Sequence, residues 1–512
     1  MVTAYGASGT FGGVGLRSAT PTGHPFAAHA VDGWRFLPGQ SAYFPAVTPD
    51  GTVVMANEPQ TDNQLLPTAR QMVLSTFDPR RLAFRNEVIA TTTGRTEVSG
   101  PWAGAAGLVG GGDVSDVELV RQDGGWRIAF TSAMPYWGWD AEAAGVYPTL
   151  GYLRRDRGGD WVADPRRSRT ALDLARRSHR GAPACQQEAT ASGRVSAPVG
   201  TCHMPAELAQ LPRSRALVVT QYASSDAATP SGRISVLDPA GQVLASYAYP
   251  RISLPDGKRL VVHPREVNAD PTGRRGEERF VVIFDAVGAP GAPTPPFAMQ
   301  EFRYDDRART IRPVSVPVLS GDVAANGSPV GFETAQYARD GSLWAAQART
   351  GTLHGAPVAV YRAAGGRAVL GGRPGCSAPQ GWHGERWATA CAPDARVAAA
   401  APLGVGRSLV EDHATGAMLL TTMSGVVLPM LPPGDATSPR ALPPIDLGLD
   451  GLVDRRVARI GPRKTAIDQR TGSLWIPVQQ LASHASCSTW PCAPAALDQW
   501  LFRVDVRAAL RP

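Results

Sequence analysis

The clearest pattern along the chain is a short alternating run of apolar and polar residues, a tight glycine turn, and then a second strand-like run. It is sharpest in GFETAQYARDGSLWAAQ (331–347) and PRKTAIDQRTGSLWIPVQ (462–479), and a period of two on either side of Asp-Gly or Thr-Gly predicts a β-hairpin. Aligned on the turn, FPAVTPDGTVVMANE (44–58), DVELVRQDGGWRIAFTS (116–132), REVNADPTGRRGEERFVVIFD (265–285) and SLVEDHATGAMLLTT (408–422) repeat the pattern. ELAQLPRSRALVVTQ (207–221) fits with its turn glycine missing. A second hairpin follows in several units, as in QMVLSTFDPRRLAFRNEVIA (71–90), GRISVLDPAGQVLASYAY (232–249) and APVAVYRAAGGRAVLG (356–371).

Four antiparallel strands recurring every 56 to 91 residues are the signature of a β-propeller blade. The expected fold is therefore all-β: one propeller domain over 1–512, with seven four-stranded blades whose innermost strands start near 43, 116, 207, 265, 333, 408 and 464. The last unit ends after its third strand, LFRVDV (501–506), so a strand from within residues 10–42 should complete it and close the ring. Residues 1–42 are read as a lead-in that carries this closure strand. Two β-sandwich domains are the rival reading, since they also give short strands with regular turns.

Length and composition support a large folded core: 512 residues, 43% hydrophobic, and no apolar run near the roughly 18 residues of a spanning helix. The net charge of +7 arises from 51 basic and 44 acidic residues interleaved along the chain, which gives no nucleic-acid stripe. Six cysteines form three local pairs, Cys185/Cys202, Cys376/Cys391 and Cys487/Cys492, suited to loop-closing disulfides and an oxidising compartment. With no secretion signal at the start of this chain, an extracellular or periplasmic location implies a signal already removed.

In a propeller blade the innermost strand starts on the face where the loop between strands two and three emerges. Those loops are long here (58–70, 134–148, 285–298 and 479–498), whereas the first turns are short, so function is expected on the long-loop face. Seven residues before each turn stand Tyr43, Asp116, Glu207, Arg265, Glu333, Ser408 and Lys464, a polar ring at the channel mouth. Asp116, Glu207 and Glu333 are candidate acid and base groups for hydrolysis of a glycosidic bond. His263 with Arg265 fits a lyase acting on a uronate. Tyr43, Arg265, Lys464, Trp137, Trp139 and Asp140 are candidate substrate contacts, the tryptophans offering flat faces to sugar rings.

The DGSLW and TGSLW turns resemble those of streptogramin-lyase-like and related propellers, a resemblance of repeat pattern only. It implies a propeller fold and, for those lyases, a metal-assisted His/Glu site, which the histidine positions here do not reproduce. The function expected is an exported carbohydrate-active enzyme, a hydrolase or a lyase; the alternative is a non-catalytic extracellular or cell-surface propeller using the same face for recognition. No cofactor or metal is predicted and structural calcium is not indicated. The partners expected are a carbohydrate or other small or polymeric ligand, with no nucleic acid, no membrane span, and a monomeric state.

Overall fold

In a computed structural model, the described residues are 14–17, 31–36, 40–59, 69–81, 83–93, 97–99, 113–133, 140–141, 149–164, 204–222, 232–239, 241–250, 259–274, 276–287, 298–314, 332–347, 358–361, 406–422, 425–432, 440–447, 464–481 and 499–510, with a few shorter segments between them. Nearly all of them are strand, and the chain folds as a β-propeller. Among the described residues there are seven sheets of four or more strands, antiparallel except for one short parallel pair, Val318–Leu319 with Ala388–Thr389. They follow one another in sequence, and we call them blades 1 to 7.

Blade 1 is built from Gln40–Val47, Val53–Pro59, Ala69–Asp78 and Ala83–Thr93. Blade 2 uses Asp113–Gln122, Gly125–Ala133, Thr149–Arg155 and Trp161–Ala163. In blade 3 the strands are Met204–Gln210, Leu217–Tyr222, Arg233–Leu237 and Val243–Ala248. Blade 4 contains Arg259–Ala269, Glu277–Val287, Ala298–Asp305 and Thr310–Pro313. Blade 5 runs through Phe332–Tyr337, Leu343–Gln347, Val358–Tyr361 and Ala395–Arg396. Here the structure departs from the expected hairpin over 356–371: Val360 pairs with Ala395, far along the chain, while 362–371 lie outside the described residues.

Blade 6 comprises Gly406–Asp412, Ala417–Thr422, Val426–Leu431 and Arg440–Ala441. Blade 7 joins the two ends of the chain. Its Ala466–Asp468, Ser473–Leu481 and Gln499–Asp505 are followed in the sheet by Val31–Phe36, which pairs antiparallel with Gln499–Asp505 from Val31↔Val504 to Phe36↔Gln499. The N-terminal strand thus covers the edge that the last C-terminal strand would leave open. First strands of successive blades pack on one another around the ring, and the first strand of blade 1 packs against the inner strands of blade 7.

The turns show why the repeat was readable. Gly51, Gly341, Gly416 and Gly472 have φ of 89°, 81°, 68° and 77°, the left-handed region that a side chain resists. In blade 3, where the glycine is missing, Arg215 takes this conformation itself, with φ 63°. Turn aspartates add a second lock: Asp340 accepts from the Ser342 backbone N–H at 2.8 Å, and Asp468 from that of Arg470 at 2.9 Å.

The apolar faces meet between blades. Val53, Met55 and Phe77 of blade 1 pack with Trp475 and Leu501 of blade 7, where Phe77 and Trp475 meet edge to face at 5.6 Å. Ile234 and Val236 of blade 3 pack with Phe280, Phe284 and Phe302 of blade 4, and Leu419 of blade 6 with Leu474 and Ile476 of blade 7. The contact between blades 3 and 4 is close enough to exclude a methyl group. A Cβ at Gly232 would lie 2.4 Å from the Pro264 ring and 2.7 Å from the Gln221 and Val262 carbonyl oxygens. Gly232→Ala is accordingly expected to lower stability by about 1–3 kcal/mol, through overpacking, in chemical denaturation monitored by circular dichroism.

Candidate functional site

Each innermost strand carries an irregularity at the same height. The pairing register slips between Tyr43 and Pro45, Val114 and Asp116, Pro205 and Leu208, Pro264 and Glu266, Phe332 and Thr334, and Gly406 and Ser408. In blade 7 the inner strand is broken outright: Ala458–Ile460 and Ala466–Asp468 both pair with Ser473–Leu481, and Lys464 stands in the interval. The seven residues picked by counting back from the turns lie in or beside these bulges. A bulge re-aims a side chain that a regular strand would commit to one face, so polar groups gather where the inner strands converge.

The bulges also hold neighbouring blades together. The Asp116 carboxylate accepts the Leu208 backbone N–H of the next blade at 2.9 Å, and the Val117 N–H at 2.9 Å. Glu266 Oε1 accepts from Thr334 Oγ1 at 2.7 Å and the Ala335 N–H at 3.3 Å, both in blade 5, and from Asn268 Nδ2 at 2.7 Å. Ser408 Oγ accepts the Thr465 N–H of blade 7 at 2.8 Å. Threonines on the second strands work in the same direction: Thr131 Oγ1 donates to the Ala206 carbonyl, and Thr220 Oγ1 to that of Arg265 at 2.9 Å.

The centre of the cluster is Lys464. From blade 7 its ammonium reaches Asp116 Oδ2 of blade 2 at 2.7 Å and Glu207 Oε2 of blade 3 at 3.2 Å, passing blade 1. Burial alone would lower its pKa, but Asp116, Glu207, Glu118 and Glu266 outweigh it and hold the lysine charged well above its ordinary range. Asp116 is fully buried, which pushes its carboxyl up against the downward pull of Lys464 and the two backbone donors. Glu118, half-buried two residues along, is pushed up to about 7 by desolvation, with Lys464 opposing and Asp116 adding. Glu266 rises to about 8 through desolvation and the Glu207 charge.

The other expected residues fall as follows. Glu333, in the blade 5 bulge, is ion-paired to Arg407 in the blade 6 bulge, both about 10% exposed in their side chains. His263 is buried at 2% exposure, and desolvation together with the Arg265 charge lowers it to about 4. Arg265 itself is half-buried. Tyr43 and Asp140 lie in strands, Asp140 opposite Ser196, whose side chains are not among those described. Trp137, Trp139 and all six cysteines lie outside the described residues. Glu118, Glu266 and Arg407 were not read from the sequence; their signal was a second polar residue within two positions of the counted one. Among the described residues no group of His, Cys, Asp and Glu is placed to hold a metal ion, and no helix is long and apolar enough to cross a membrane.

No family model matches the chain, and no curated protein matches it. Solved structures similar to it include the Dos1 propeller, 7% identical over 98% of this chain and 91% of that one, with a TM-score of 0.40. A catalytically inactive virginiamycin B lyase from Staphylococcus aureus, solved with quinupristin, is 9% identical over 95% and 99%, with a TM-score of 0.39. A chain of the COPII outer coat vertex on membranes is 9% identical over 90% and 89%, at 0.42.

Two outcomes are expected from the charge cluster. Lys464→Met leaves Asp116 buried and unpaired and should destabilise the fold by about 3–5 kcal/mol; adding Asp116→Asn, which keeps an acceptor for the Leu208 N–H, should restore most of the loss in urea unfolding. The pH dependence has two limbs. The raised carboxyls, with an ordinary value of 4.5, favour the fold while protonated, and this is lost as pH rises through about 7 for Glu118 and about 8 for Glu266. The depressed His263, with an ordinary value of 6.5, contributes above that pH and loses its contribution as pH falls through about 4. Thermal melting should peak at mildly acidic pH, and Glu266→Gln should flatten its alkaline side.

Proposed function

We propose that the chain is a ligand-recognition propeller of an exported or cell-surface protein, binding a carbohydrate or comparable polar polymer at the end of the ring where the inner strands begin. One observation carries this reading: the carboxylates that acid/base chemistry would need are already engaged by the protein. Asp116 is shared by Lys464 and two backbone N–H groups, Glu207 faces Lys464, and Glu333 faces Arg407. A nucleophile or base bridged by a lysine ammonium is a poor one, because its charge is neutralised before any substrate arrives. The same groups suit recognition, since Lys464, Arg265 and Glu207 offer hydroxyls and carboxylates fixed donors and acceptors. The three local cysteine pairs support an oxidising compartment.

A second reading, the carbohydrate-active enzyme, is favoured by Glu118. A half-buried carboxyl at about 7, beside a second carboxylate, has the property of a general acid at neutral pH. In this reading Glu118 protonates the leaving oxygen and Glu207 serves as base or nucleophile. For a uronate, His263, neutral at physiological pH, takes the proton while Arg265 faces the acid group.

A screen of neutral and uronate-containing polysaccharides separates the two. Retention on a glycan column that is weakened roughly tenfold or more by Glu207→Gln, with no new reducing ends, is expected for recognition, as for loss of a charged hydrogen bond. New reducing ends abolished by Glu118→Gln would establish hydrolysis instead. Unsaturated uronate absorbance abolished by His263→Gln would establish a lyase. Neither retention nor turnover on any member of the panel would remove carbohydrate from the proposal.

A further inference from the structure

At the opposite end of the ring, where the tight turns lie, the junction of blades 1 and 2 opens into a groove of about 400 Å³. That lies within the range of about 300–1,000 Å³ typical of small-molecule sites. It is lined by Pro49 and Asp50 from the blade 1 turn and, from blade 2, by Gln122, Trp126, Arg127 and Trp161 among others. Trp126 is 44% exposed, one of the few large apolar side chains among the described residues to be so. Its neighbour Arg121 holds a guanidinium 6.0 Å from the ring centroid, and Arg155 holds one 5.4 Å from Trp161.

The polar atoms of this groove are unusual. Gln122 is 3% exposed, yet both ends of its amide, Nε2 and Oε1, are buried without a hydrogen-bond partner among the described residues. The indole Nε1 of Trp161, a residue 6% exposed, and the Nε of Arg127 are in the same condition. A buried polar group left unpaired costs about 1–3 kcal/mol, so four such atoms around one groove call for an occupant. Most of the charges, by contrast, are paired with one another, with Arg121 and Arg154 standing outside those pairs. Asp50 pairs with Arg155, Asp123 with Arg167, and Arg127 with Asp164 at 2.7 Å.

We infer that this groove is a second ligand site, distinct from the channel mouth, that takes a neutral saccharide of one or two sugar units. The unmatched set is three donors and one acceptor, and a hydroxyl group, which both donates and accepts, can answer either kind. An apolar sugar face lies against Trp126 while vicinal hydroxyls meet the Gln122 amide in pairs. Asp50 and Asp123 are each engaged by an arginine, so among the described residues the groove keeps no acidic group for a cationic ligand. A peptide would instead seek backbone pairing along the length of a strand edge, whereas this groove is walled by the ends of the blade 2 strands and their turns, chiefly through side chains.

Saturation-transfer NMR with cellobiose, maltose, lactose and diacetylchitobiose tests the site, with a Gly/Ser peptide as the comparison probe. Saturable transfer to at least one disaccharide is expected, with Trp126→Ala weakening affinity roughly tenfold or more. Since Trp126 is exposed, this variant should melt like the parent. Gln122→Leu should also weaken binding while leaving the melting temperature unchanged or higher, because it removes an unpaired amide; unchanged binding in that variant would mean that the amide is merely hydrated and would overturn the assignment. No transfer to any disaccharide, transfer that survives Trp126→Ala, or transfer to the peptide alone would each overturn it too. Glu207→Gln, at the other end of the ring, should leave this binding as it is, so failure here and failure of the channel-mouth reading are separately visible.

Discussion

The bond from a bulge side chain in one blade to the backbone N–H of the next is the constraint on which this ring depends. Inner strands lie close together and have little area for apolar packing, so their relative height must be set by directed bonds. Asp116 to Leu208, Glu266 to Ala335 and Ser408 to Thr465 are three instances, reinforced by Thr131 and Thr220 reaching adjacent carbonyls. Outside this girdle the blades adhere by ordinary apolar contact, as where Phe77 meets Trp475. Because a one-residue slip would turn every inner side chain to the opposite face, the girdle fixes both the fold and the identity of the groups at the ring's end.

A girdle of buried carboxylates creates an electrostatic problem that Lys464 resolves. Asp116, Glu118, Glu207 and Glu266 would repel one another in a poorly solvated space, and one ammonium placed among them offsets much of that repulsion. The cost of burial itself remains, and desolvation is the main reason that the Glu118 and Glu266 carboxyls stand above their ordinary value, with the Glu207 charge adding at Glu266. A comparable arrangement recurs nearer the turns between blades 4 and 5. There Arg279 forks onto Asp270 at 3.0 and 2.6 Å, and Tyr337 donates to Glu301, a carboxyl raised to about 7 mainly by desolvation. The protein therefore uses buried charge at both levels of the ring, and at the inner-strand bulges Lys464 brings together charges from three blades.

Much of this was legible in the sequence, and the reason is local. Asp-Gly and Thr-Gly turns demand a left-handed residue, and alternation on either side gives hairpins, so the repeat, the all-β class and the need for a closing N-terminal strand follow from neighbours a few positions apart. Counting back from the turn reached the bulges because each bulge lies at nearly the same distance before its turn. It found Arg265 in place of Glu266, and Glu333 in place of Thr334, because the bulge displays two adjacent residues where a regular strand displays one. The outer strand of blade 5 was misplaced for the complementary reason: Ala395–Arg396 joins Val358–Tyr361 across more than thirty residues, and no local signal spans that interval.

By itself, then, the sequence determined the elements and their order, since turn chemistry and a period of two act within a single hairpin. Only the tertiary structure decided which charges meet. Lys464 is more than 250 residues from Glu207 and still farther from Asp116 along the chain, yet it lies 3.2 and 2.7 Å from them, because ring closure brings blade 7 back beside blade 1. The groove under Trp126 is likewise a product of how two blades abut. Burial, which sets the protonation of Glu118, Glu266 and His263, belongs to the assembled ring, for desolvation depends on every neighbour at once.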